Sequence, residues 1–181
     1  MIRSLAFFAI VLLTAPSVRA LEPIPDKLVV LTFDDSVKSH HAVVRPMLKK
    51  YGFGATFFIT EGFDFPTNKT DYMTWAEIAE LHADGFEIGN HTRDHMGVSK
   101  DNVGKLAEQV RAIADRCREH KIPPPVSFAY PGNGIDKAAL AVLREQGFLF
   151  ARRGGSPEYP YKEGIGFAYE QIGRASCRER V

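Results

Sequence analysis

Cysteine is almost missing: there are two among 181 residues. One, Cys177, falls in a terminal stretch set apart below, which leaves Cys117 alone and excludes a disulfide framework within the chain. Cys117 closes the series Val103, Leu106, Ala107, Val110, Ile113, Ala114, Cys117, one face of a helix, so it reads as a small core residue rather than a nucleophile. Long apolar runs are missing too. Leu5 to Leu13 falls far short of the roughly 20 residues that a spanning helix needs. A clustered basic face is also lacking: Lys plus Arg number 23 against 22 Asp plus Glu, a balance without the footprint of a nucleic-acid partner.

Two terminal stretches stand apart from the rest. Met1 to Ala20 has a positive start at Arg3, a short apolar run and small residues at Val18-Arg19-Ala20, the three parts of a secretory signal peptide. Export to a periplasmic or extracellular space is therefore expected, with no stable membrane span after cleavage. Ile172 to Val181 is basic, has no apolar periodicity and resembles the translation of a sequencing adapter, so it is read as a non-native tail on a frame cut near Gln171. Without both stretches Lys plus Arg falls from 23 to 18 (Arg3, Arg19, Arg174, Arg178, Arg180) and Asp plus Glu from 22 to 21 (Glu179), leaving 21–171 at about −3.

What is present alternates. Lys27 to Phe33 is a β-branched apolar run that reads as a buried strand, Ser39 to Tyr51 as a helix stopped by Gly52, and Ala55 to Ile59 as a second strand. Thr74 followed three residues later by Glu77 has the spacing of a capping box, starting a helix that runs to Ala83. Phe86 to Ile88, Val103 to His120, Val126 to Ala129 and Asp136 to Gln146 continue as strand, helix, strand, helix before the apolar Phe148-Leu149-Phe150. This order predicts an α/β fold with a parallel sheet, whose C-terminal strand ends gather catalytic groups on one face.

Asp34-Asp35 ends the first strand, His91-Thr92-Arg93-Asp94-His95 follows the third, and Tyr130-Pro131-Gly132 follows the fourth. Taken alone, an apolar strand ending in Asp-Asp is open to several readings: a phospho-accepting receiver, a phosphatase nucleophile, a metal and base pair, or helix caps. A phosphatase of that class wants its aspartates two apart, and a receiver would be cytoplasmic. Adjacent carboxylates repel, and a cation keeps both ionised. His91 and His95, at i and i+4, share one face if the backbone is helical, within reach of one ion. Two imidazoles and a carboxylate leave a coordination position open for water, the pattern of a hydrolytic rather than a structural site.

Thr32-Phe33-Asp34-Asp35 and His91-Thr92-Arg93-Asp94-His95 resemble the first two motifs of the polysaccharide deacetylases, the NodB-like carbohydrate esterases, and Phe128-Ala129-Tyr130-Pro131-Gly132 is similar to a variant of their third. The resemblance runs from Lys27 to about Phe150. It implies a distorted (β/α) barrel, incomplete in this chain, and metal-dependent removal of acetyl groups, usually N-acetyl, from a glycan by attack of a metal-bound water. It assigns Asp34 as general base, Asp35, His91 and His95 as metal ligands, and an oxyanion-stabilising N–H to the Tyr130-Pro131-Gly132 segment. Such a ligand set suits zinc first, with iron, cobalt or nickel as alternatives. The implied partner is an acetylated glycan.

The departures set the alternative. Ser36 stands where the family usually has Gly, a small change if the backbone there needs no positive φ. Phe128 and Ala129 occupy the stretch where an Arg usually orients the base. Arg152 or Arg153 is a candidate replacement, but arginine is seldom buried, and both are read as solvated surface residues. The late motifs, a pocket Trp with Asp and a general-acid His, belong beyond Gln171, so 21–171 alone is expected to be nearly inactive. A non-catalytic glycan- or metal-binding protein of the same fold is the competing reading. Trp75 is read as packing, and Phe63, Phe65 and Tyr72 as loop packing or the border of a sugar groove. His40, His41, His82 and His120 show no ligand spacing with the pair.

Overall fold

The computed structural model describes residues 29–154. The expected signal peptide and C-terminal tail lie outside them. Strands β1 (Thr32–Phe33), β2 (Thr56–Ile59), β3 (Glu87–Asn90), β4 (Ser127–Ala129) and β5 (Phe150–Arg152) lie side by side in chain order, each neighbouring pair parallel. Parallel neighbours need long connections, and helices α1 (Arg45–Tyr51), α2 (Trp75–Ala83), α3 (Leu106–Glu119) and α4 (Ala138–Glu145) supply them. The sheet curls into a half-barrel, the incomplete (β/α) barrel expected from the sequence.

Two apolar clusters hold the layers together. Phe57, Ile59 and Ile88 of the sheet pack against Ile78 and Leu81 of α2 and Ile113 of α3, while Phe128 and Tyr130 pack against Val110 and Leu143. Cys117 is fully buried in the first cluster, where desolvation pushes its thiol up to about 12. It is the inert core residue its spacing predicts. Thr74 caps α2 as expected: its Oγ1 accepts the Glu77 N–H at 3.2 Å while Glu77 Oε2 accepts the Thr74 N–H at 2.7 Å. Trp75 packs edge-on against Phe65 and donates its indole N–H to Glu61 at 2.6 Å, a structural role.

Two expectations change. The strand read as buried over Lys27 to Phe33 is Thr32–Phe33 alone, with Val29 and Val30 exposed at 75% and 57% and residues 27 and 28 outside the described ones. β1 is an outer strand with β2 as its one described neighbour, and β propensity without a second neighbour does not bury a chain. The Ser39 to Tyr51 helix divides into a π-helical turn, His40–Val44, and α1. Pro46 lacks the N–H that would bond Ala42 in a continuous α-helix, and Val43 and Met47 face outward.

Candidate metal centre

Asp34 and Asp35 leave β1 through a sharp bend in which Asp35 (φ 69°) and Ser36 (φ 57°) are both left-handed. The Ser36 position therefore does require positive φ, against the milder expectation. The conformation is held by the serine itself: its buried Oγ donates to the Thr60 carbonyl at 2.8 Å and accepts the Thr60 N–H at 3.0 Å. Strain of this kind persists only where the surroundings over-determine it. Neither aspartate caps the following turn, whose N-cap Ser39 makes no side-chain bond.

His91 follows β3 directly, but the His91 to His95 segment is not helical: Thr92 (φ 58°) and His95 (φ 52°) are left-handed. Side chains replace the helical bonds. Asn90 Oδ1 accepts the Thr92 N–H at 3.0 Å, Thr60 Oγ1 accepts the His95 N–H at 3.0 Å, and Gln109 Oε1 accepts the Asp94 N–H at 2.9 Å. Gly62 is needed for this fit, since a Cβ there would lie 2.7 Å from His95 Cβ and 2.8 Å from the Asp94 carbonyl carbon. We expect Gly62→Ala to cost about 1–3 kcal/mol by overpacking, read by thermal unfolding, and to weaken metal binding in titration.

The rings meet all the same, 4.9 Å apart. His91 Nδ1 lies 2.8 Å from the Ala129 carbonyl, which can only accept, so Nδ1 carries the proton and Nε2 keeps its lone pair. His91 Nε2 and His95 Nε2 stand 3.4 and 3.2 Å from the same atom, Asp35 Oδ1. That oxygen is buried and has no hydrogen-bond donor among the described residues. Ligand atoms about 2.1 Å from one cation sit roughly 3–3.5 Å apart around a tetrahedron, and these three all lie within 4.8 Å of one another. The donor set therefore fits a divalent cation. Burial and the neighbouring His91 push His95 down, toward the neutral form that a ligand must have.

Asp34 stands beside this cluster with Oδ1 bonded to Nη2 of Arg152. Arg152 is not a solvated surface residue: its side chain is 17% exposed and its guanidinium lies 4.7 Å over the Phe58 ring. It is the register partner of Ala129 on the adjacent strand, so a cation reaches the carboxylate from one strand further along.

The sequence model of the family described as polysaccharide deacetylase matches residues 22–151. The chain belongs to the polysaccharide deacetylase family. It is 28% identical over 127 residues to a peptidoglycan-N-acetylglucosamine deacetylase of Bacillus cereus, covering 70% of this chain and 56% of that one. It is also 28% identical over 137 residues to a poly-beta-1,6-N-acetyl-D-glucosamine N-deacetylase of Staphylococcus aureus, covering 70% and 47%. The chain thus spans about half the length of these curated relatives. Its fold is that of the Streptococcus pyogenes deacetylase PplD in complex with acetate (TM-score 0.69, 21% identity, 86% of this chain and 67% of that one) and of IcaB from Ammonifex degensii (TM-score 0.62, 25% identity, 86% and 70%).

In this member of the polysaccharide deacetylase family, the third motif contributes mostly backbone. Tyr130 is 2% exposed, its hydroxyl without a partner among the described residues and pushed up to about 12 by burial. Tyr130 N–H is taken by the Arg152 carbonyl at 2.9 Å and Pro131 has none. Gly132, left-handed at φ 58°, holds the one N–H of the three with no partner among the described residues. His40, set aside in the sequence for lack of ligand spacing, packs against the stacked pair Phe33 and Phe57 at 5.4 and 5.9 Å, and both carboxylates bear on its charge. Burial outweighs them and keeps it toward neutral. Arg152 had one usable signal, its place at a strand end on the same face as the Asp34 and His91 segments. Arg152→Ala in the full-length gene product should lower kcat about 10²-fold through misplacement of Asp34, with metal content unchanged and Lys a poor substitute for the planar fork.

Proposed function

We propose that the full-length protein is a metal-dependent hydrolase that removes acetyl groups, chiefly N-acetyl, from an exported or cell-wall glycan. The reading rests on one observation: a buried Asp35 Oδ1, without a donor among the described residues, faced by the Nε2 atoms of His91 and His95, with Asp34 alongside. Two relatives named for deacetylating N-acetylglucosamine polymers support the substrate class. The signal-like Met1 to Ala20 supports action outside the cytoplasm.

Asp35, His91 and His95 would hold the cation, zinc first among the candidates. Bound there, a divalent cation supplies Lewis acidity to the amide carbonyl and lowers the pKa of the attacking water. Arg152 fixes Oδ1 of Asp34, and the other carboxylate oxygen, without a partner among the described residues, takes the water's proton. The Gly132 N–H, without a partner among the described residues, is the backbone donor for the negative charge that builds on the carbonyl oxygen. The competing reading, a non-catalytic binder, leaned partly on an absent base-orienting arginine, and Arg152 removes that support.

The test is acetate release from N-acetylglucosamine oligomers by the full-length gene product, before and after chelation and after return of zinc, iron, cobalt or nickel. Release lost on chelation and restored by a divalent ion is expected. Release indifferent to chelator, or none with any ion, would sink the proposal.

A further inference from the structure

Phe63 carries a cost that the fold does not explain. Its side chain is bulky, its backbone is left-handed (φ 58°), and its residue is 55% exposed, so it neither fills the core nor suits its own φ. The turn that presents it is tied down on both sides. Glu61 N–H bonds the Arg93 carbonyl at 2.8 Å, Gly62 N–H bonds Thr60 Oγ1 at 3.0 Å, and Phe65 N–H returns to the Gly62 carbonyl at 3.3 Å. A mobile loop would let the ring fold away; this one holds it out.

The ring is held at the metal centre. Its centroid is 4.5 Å from that of His95, and it lies nearly parallel to Tyr72, with an interplanar angle of 9° and centroids 6.2 Å apart. Tyr72 belongs to the opposite wall of the site: it bridges Val37, and the flanking Lys38 and Met73 N–H groups bond Asp71 at 2.7 Å and Ser36 at 2.9 Å. The aromatic pair thus spans from the histidine side to the carboxylate side. The three groups that converge beside it, Asp35, His91 and His95, are polar.

We propose that Phe63, aligned by Tyr72, is a stacking platform for a pyranose ring of the glycan, one sugar away from the acetyl group under attack. This rests on the deacetylase reading for the position of the reacting sugar. The C–H face of a pyranose is apolar and slightly positive, and it complements the negative face of an aromatic ring, which charged and hydroxyl-bearing side chains do not. Aromatic anchors that are already ordered bind without a further entropic cost. Phe63 therefore acts in substrate binding and in the preference for polymers over single sugars.

The test is the dissociation constant for a tetramer of N-acetylglucosamine, by calorimetry, in the zinc-loaded full-length protein with Asp34→Asn present so that the ligand is not consumed. Phe63→Leu keeps an apolar contact with His95 but has no ring, and Phe63→Trp restores a face. Phe63→Leu should bind the tetramer about tenfold more weakly, Phe63→Trp should bind it like the parent, and zinc content should be the same in all three. A Phe63→Leu protein with parental affinity, or one that loses zinc along with affinity, overturns the platform. So does a parent that binds no tetramer. If the wild type releases no acetate yet Phe63→Leu still loses tetramer affinity, the deacetylase reading fails and the platform stands.

Discussion

Asp34→Asn in the full-length protein should lower kcat for acetate release about 10³-fold, within the 10² to 10⁴ range of a general base, and leave the metal in place. The separation follows from the geometry. The atoms that could hold a cation belong to Asp35, His91 and His95, and Asp34 contributes none of the three. Asparagine preserves shape and can still meet Arg152, so the fold and the site should survive, but an amide oxygen cannot take the water's proton. Metal analysis beside initial rates checks both halves. A variant with wild-type rate, or one that has lost its metal, would contradict the assignment of Asp34 as base.

His95→Ala should do the opposite, removing the metal and with it the activity. A divalent cation contributes several kcal/mol of charge stabilisation, so the rate should fall by about 10³ or more at 1.36 kcal/mol per decade. The same histidine sets the pH dependence of metal retention. Burial lowers its pKa, so protons compete for Nε2 only below the ordinary imidazole range, and metal affinity should hold at neutral pH and fall on acidification. Titration with zinc at stepped pH measures this. Retention that improved as pH fell would contradict it.

The alternation of strands and helices made the parallel sheet legible, and with it the meeting of residues from β1 and β3 ends. Position along a strand needs no knowledge of side-chain contacts. The helical condition attached to the His91 to His95 spacing is not met, because Thr60 and Gln109, 35 and 15 residues away from the groups they bond, hold a non-helical loop. Arg152 was misjudged for a related reason: burial of arginine is rare in general, and its partner is 118 residues earlier. A residue-type tendency carries no information about such a partner. Ser36 was judged by whether its φ was positive, a quantity sequence does not contain, and its compensating bonds to Thr60 are long-range too.

The Asp34 to Arg152 bond also imposes a chronology. β1 and β5 are the first and last strands of the described sheet, and their ends touch only because the sheet curls. A chain emerging from synthesis cannot orient the His91 to His95 loop until Gln109 and Ala129 are out, and Asp34 has no anchor until residue 152 arrives. Closing so long a loop is slow relative to local contacts. The carboxylate next to β1, made first, is thus the last group of the cluster to be fixed in place.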